Sequence, residues 1–202
     1  NEVVEVSAKQ DHTCARQATG AVWCWGANAH GQTGRVHSEA EWIPVRVDLP
    51  FAAAQVSAGV SHTCVRAEQG TVHCWGGAYN ATGIVEEAHV DDFEGQVRNH
   101  RFEAVPGITD ATAVASGFDF ACALRAQGEV MCWSQGVVGH ETDFSIRWHH
   151  WNYYPVMGTR GYEAPGPSAI QGLPPVAQLV AGFGHACGIT AAGVVWCWGK
   201  ND

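Results

Sequence analysis

The chain has 202 residues, of which 46% are apolar, 10% aromatic and only 15% charged, and its net charge is −9 with histidine neutral. An ordinary apolar content that includes nine Trp excludes a disordered chain, and 24 Gly without a Gly-X-Y period exclude a collagen-like one. Nine Arg and two Lys (Lys9, Lys200) leave no basic patch for nucleic acid, and no apolar run approaches the ~20 residues of a membrane span.

From the N-terminus, a run of β-formers (EVVEVSA, 2–8) leads into DHTCARQATGAVWCWG (11–26), then a variable segment (27–42) and a second strand with a proline in it, Trp42–Leu49. The order then recurs. AAAQVSAG (52–59) precedes SHTCVRAEQGTVHCWG (61–76), segment 77–101 and a strand over Phe102–Ile108. ATAVASG (111–117) precedes FDFACALRAQGEVMCWS (118–134), segment 134–168 and a strand over Ala169–Pro174. AQLVAG (177–182) precedes GHACGITAAGVVWCWG (184–199), and the chain stops three residues later. Self-similarity at intervals of 50, 58 and 65 residues indicates a propeller or solenoid, and four strands per unit is the content of a propeller blade.

The eight cysteines sit ten residues apart in pairs, and each pair brackets a glycine: Gly20, Gly70, Gly128 and Gly193. Two β runs around a Gly at the position needing positive φ predict a β-hairpin. Folding each hairpin symmetrically places Cys14 opposite Cys24, Cys64 opposite Cys74, Cys122 opposite Cys132 and Cys187 opposite Cys197. Directly opposed residues lie within disulfide range, so four intra-hairpin disulfides are expected. A zinc or redox site is the alternative, but ten-residue pairing is not zinc spacing and no C-x-x-C occurs. The same register sets Trp25, Trp75, Trp133 and Trp198 opposite Thr13, Thr63, Ala121 and Ala186, and the Trp-bearing face is expected to pack against another sheet. His12, His62 and His185 fall opposite Gly26, Gly76 and Gly199, and Phe120 opposite Ser134, which predicts rings lying over glycine backbone.

VSAGVSHTCVRAEQGTVHCWG, the segment GANAHGQTG (26–34) and the closing PVRVDL resemble the RCC1 (regulator of chromosome condensation) repeat, and the paired cysteines resemble a secreted bacterial branch of it. The resemblance implies an all-β fold: a β-propeller of four-stranded RCC1-like blades. About three and a half blades are present, as repeats 1–51, 52–110, 111–175 and a truncated 176–202 of one segment, 1–202. The family's Gly-Gln-Leu-Gly turn survives as Gly31-Gln32-Thr33-Gly34, against Asn80-Ala81-Thr82-Gly83 and Gly136-Val137-Val138-Gly139 in the next two repeats. Three and a half blades do not close a ring, so either a longer propeller contains this segment or a second chain completes it. The chain has no initiator Met, so it is expected to begin after a cleavage or in mid-protein, and of the two explanations the longer propeller is the one expected.

The repetitive hairpins leave function to the loops, which grow from about 16 to about 25 to about 35 residues. The longest, 134–168, carries Arg147, Trp148, His149, His150, Trp151, Asn152, Tyr153 and Tyr154, whose aromatic and Arg side chains are interface hot-spot chemistry. The acidic run 85–94 is expected to be a solvated loop, since it lacks the spacing of a calcium loop. His12, His62 and His185 hold one repeated position and are expected to build the blade. There is no G-x-S-x-G, HExxH or P-loop, and the cysteines are paired, so no enzyme and no cofactor are expected. The expectation is a protein-interaction or structural module of an oxidising compartment (secreted, periplasmic or cell surface), whose partner is another protein chain, further blades or copies of itself. A carbohydrate- or metal-binding module through 134–168, or the propeller domain of a larger extracellular enzyme, are the alternatives. The exchange activity of the family's eukaryotic founder is not expected in a disulfide-stapled acidic chain.

Overall fold

A computed structural model describes residues 2–35, 38–77, 102, 104–118, 120–134 and 166–199. These form four consecutive antiparallel sheets and contain no helix. The first sheet holds β1 (Val3–Lys9), β2 (His12–Gln17), β3 (Val22–Ala27) and β4 (Ala40–Arg46) in that order. The second holds β5 (Ala53–Ala58), β6 (His62–Ala67) and β7 (Val72–Gly76). The third holds β8 (Ala111–Ser116), β9 (Phe120–Arg125), β10 (Val130–Ser134) and β11 (Ser168–Ala169), and the last holds β12 (Val176–Ala181), β13 (His185–Thr190) and β14 (Val195–Gly199). The first strands of successive sheets touch in order, β1 to β5 to β8 to β12, so they line a common axis and the sheets are blades around it.

The hairpins take the expected register. Cys14 faces Cys24, Cys64 faces Cys74, Cys122 faces Cys132 and Cys187 faces Cys197, with Cα atoms 4.0–4.1 Å apart and all four disulfides formed. The turn glycines have positive φ throughout, and at Gly20, Gly70 and Gly128 a Cβ would also meet the entry of the next blade's first strand at 2.6–2.9 Å. These positions therefore need glycine twice over, for conformation and for space.

The stacking of the blades is directional. The Cys14–Cys24 disulfide and Val22 of the first blade pack on Val56, Val65 and Trp75 of the second. Cys64, Cys74 and Val72 pack on Ala121, Ala123 and Trp133 of the third. Cys122, Cys132 and Val130 pack on Ala186 and Trp198 of the fourth. Each seam thus sets a disulfide-bearing face against the next blade's tryptophan-bearing face, as the alternation of side chains across a strand requires.

Polar clasps finish the seams near the axis. Every blade carries a register shift in its first strand pair: Val3/Glu5, Ala53/Gln55, Ala111/Ala113 and Val176/Gln178. Such bulges re-aim side chains. Glu5 Oε2 accepts from Arg16 Nε at 2.7 Å and from Val56 N of the next blade at 3.2 Å. Gln55 donates to Val114 O at 3.0 Å and accepts from Val114 N at 2.8 Å. Ser7 Oγ accepts from Ala58 N, and Ser57 Oγ from Ser116 N, both at 2.9 Å. The exposed edges of β5 and β8 are thereby occupied by side chains of the preceding blade.

The outer strands depart from expectation. In the first blade β4 forms over Ala40–Arg46, interrupted opposite Trp25, because Pro44 offers no N–H. In the second, Phe102–Ile108 does not form a strand: among the described residues one bridge (His73 with Ala104), one backbone hydrogen bond (Val105 N to Val72 O, 2.8 Å) and one between the His73 ring and Phe102 O (2.9 Å) stand in its place. Pro106 and the positive-φ Gly107 turn the chain away immediately afterwards. In the third, the paired strand is Ser168–Ala169, starting one residue before the predicted Ala169–Pro174, and Ile170 N adds one hydrogen bond to Val130 O at 3.0 Å before Gly172, Pro174 and Pro175 end the pairing. The rings opposite Gly26, Gly76 and Gly199 also lie elsewhere. His62, Phe120 and His185 cover Gly59, Gly117 and Gly182, three residues earlier, where any Cβ would collide with the ring. The cross-strand Gly26 and Gly76 instead admit close approach of the Asp11 and Ser61 carbonyls.

Candidate functional site

The loop cluster Arg147, Trp148, His149, His150, Trp151, Tyr153 and Tyr154 lies outside the described residues, as does the acidic run 85–94. Among the described residues, no three His, Cys, Asp or Glu side chains converge to hold a metal ion. Likewise, no described helix is long and apolar enough to cross a membrane.

What the blades bring together is one end of the axis, built from the turns between each first and second strand. Repeat register aligns Lys9, Gly59, Gly117 and Gly182, followed by Gln10, Val60, Phe118 and Phe183. These turns link into a chain: Val60 N donates to Gly117 O at 3.1 Å, and Phe118 N to Phe183 O at 2.8 Å. Phe118 and Phe183 stack with centroids 4.5 Å apart, yet remain 38% and 53% exposed. Aromatic rings held rigid and open at the end of a scaffold suit recognition.

Lys9 departs from the glycine of the other three repeats. From the first blade it reaches past the second. Its Nζ donates to Ser116 O of the third blade at 2.6 Å, and to Ala181 O and Gly182 O of the fourth at 3.0 and 3.2 Å. Burial lowers its pKa from the ordinary lysine value.

Because no glycine precedes it, His12 does not repeat the ring-on-glycine packing. Its Nε2 instead meets Thr63 Oγ1 of the next blade at 2.9 Å. Thr63 Oγ1 donates to Gln32 O at 2.9 Å, and Trp75 Nε1 donates to the same carbonyl at 3.0 Å. Gln32 sits in the turn Gly31-Gln32-Thr33-Gly34, which Asn28 holds by accepting from Thr33 N and Thr33 Oγ1 at 3.1 and 2.7 Å. The Gly31–Gly34 turn of the first variable loop thus caps the second blade's tryptophan. Burial pushes His12 down to about 4, against Asp11, which raises it. It pushes His62 down to about 3, helped by the charges of His12 and Lys9. Both imidazoles are neutral, so neither is an acid–base group near neutral pH.

A concavity of about 430 Å³ lies at the hairpin-turn end of the third blade between Arg125, Glu129, Ile170 and Leu173. Its guanidinium is already shared, Nε with Asp110 Oδ1 at 2.7 Å and Nη1 with Glu129 Oε2 at 2.8 Å.

Loop length and aromatic content drew the sequence reading to 134–168, so it missed the axial end. One signal was available: Lys9 standing where three aligned repeats carry glycine.

Similarity to known proteins agrees with the architecture. Models of the regulator of chromosome condensation (RCC1) repeat match residues 19–66 and, in a second version, 3–32, 53–81, 111–139 and 176–202. A mouse (Mus musculus) protein, "RCC1-like G exchanging factor-like protein", is 26% identical over 99% of this chain and 41% of its own length. The crystal structure of human WBSCR16 superposes with a TM-score of 0.74 at 20% identity, over 98% of this chain and 47% of that one. Yeast RCC1 (Prp20), solved bound to Kap60, gives 0.72 at 16% identity over 98% and 43%. The chain therefore spans less than half the length of each of these relatives. Four stapled hairpins in family register, stacked as propeller blades, make this chain a member of the RCC1 repeat family.

Proposed function

We propose that residues 1–202 are one RCC1-like propeller segment, with repeats 1–51, 52–110, 111–175 and 176–202, serving a non-enzymatic protein-interaction module of an oxidising compartment. The observation that carries the reading is the set of four disulfide-stapled hairpins joined through three packed seams, which make a rigid scaffold. Stable disulfides belong to secreted, periplasmic or surface proteins. For that reason the exchange activity in the mouse relative's name is not carried over. The partner is another protein chain, met by Arg147, Trp148, His149, His150, Trp151, Tyr153 and Tyr154 of the longest loop. Further blades or a second chain cover the open flanks.

The test is a photo-crosslinking residue placed at position 148 in cells that export the protein. One protein adduct is expected. Trp151→Ala with Tyr153→Ala should abolish it while leaving the circular dichroism spectrum and melting temperature unchanged. No adduct, an adduct indifferent to those substitutions, or an adduct with glycan alone overturns the reading.

A further inference from the structure

We propose that three main-chain carbonyls at the axial end form a binding cradle for a primary ammonium, and that the chain fills it with its own Lys9. Two observations carry this independently of the interaction reading. The first is convergence: Ser116 O at the end of β8, Ala181 O at the end of β12 and Gly182 O just beyond it all lie 2.6–3.2 Å from one nitrogen. An ammonium has three N–H donors, and here each finds an acceptor. The second is position: Lys9 occupies the register place at which the other repeats carry Gly59, Gly117 and Gly182, each covered by its own His or Phe ring. The first repeat gives up that packing, and its residue crosses the axis instead.

The ligands are neutral carbonyls, so selectivity rests on donor geometry and on the dehydration of the cation, not on charge neutralisation. A primary alkylammonium satisfies the cradle, whereas a quaternary ammonium of equal charge has no N–H to offer. Consecutive blades are already joined through their seams. Lys9 adds a link between the first blade and the third and fourth.

Chemical rescue tests the proposal. Lys9→Ala removes three methylenes and the ammonium, the volume of n-propylammonium. The variant should melt about 4 °C or more below the parent chain, as loss of charged hydrogen bonds implies for a protein of this size. n-Propylammonium chloride should raise its melting temperature more than tetramethylammonium chloride at equal ionic strength, and the parent chain should show no such difference. Equal effects of the two salts on the variant overturn the cradle. If Lys9→Ala does not fold, the parent chain decides. Acetylation of Lys9, mapped by mass spectrometry with the disulfides intact, should be about tenfold slower in the folded protein than in urea, since the amine must first leave its acceptors. Equal rates overturn the proposal.

Discussion

At the scale of single residues, the buried imidazoles set the response to acid. His12 and His62 are neutral when folded, with pKa values pushed to about 4 and about 3, while in the unfolded chain each binds a proton below about 6.5. The unfolded state therefore gains protons first as pH falls. The contribution of these two groups to stability should be level above pH ~6.5 and should decline from there toward pH 4 and 3, by up to roughly 1.4 kcal/mol per pH unit for each group. Urea midpoints between pH 7 and 4 measure the slope. The third repeat carries Phe120 where the second has His62, over an equivalent glycine. His62→Phe should accordingly flatten the slope while keeping most of the stability at pH 7. Gly117→Ala makes the opposite point. Its Cβ would enter the Phe120 ring, so a loss of about 1–3 kcal/mol is expected in the same denaturation assay.

Among the structural elements, the hairpins were the most legible part of the sequence. Cys, Gly and Trp at fixed offsets determine a two-residue alternation and a turn, and together these allow one register. The first-strand bulges were not legible. They place Glu5 and Gln55 against main-chain groups of the next blade, and no spacing within one repeat reports a neighbour about 50 residues away. The outer strands were only half legible, because the β-forming runs carry prolines whose position cuts the pairing short. The site was less legible still, since a crossing of the axis by Lys9 depends on the assembled blades. The staples themselves differ in surroundings. Three disulfides are wholly buried in seams, while Cys197 of the fourth is exposed. Brief reduction followed by alkylation and peptide mapping of this chain should label Cys187 and Cys197 well before the other six cysteines. Replacing Cys64 and Cys74 together by Ser should cost about 3 kcal/mol, the loop-entropy value for a ten-residue closure.

For the molecule as a whole, one repeat position states how the flanks differ. Val22, Val72 and Val130 are 0–1% exposed beneath the following blade, and Val195 is 61% exposed. Val72→Glu should therefore unfold the chain, while Val195→Glu should leave its melting temperature within about 1 °C, as surface changes do. The same Val195→Glu should lower the association of any chain or blade that seats on this flank, read by sedimentation of the variant with and without that partner. The seams also have a consequence for how such a protein grows. Each unit offers a socket on one side and the matching plug on the other. A tandem duplication of one coding unit therefore yields a neighbour that mates with its copy at once, with no compensating change. Recognition between units then places no limit on their number, and the small turn from each to the next is left to fix how many complete a circle.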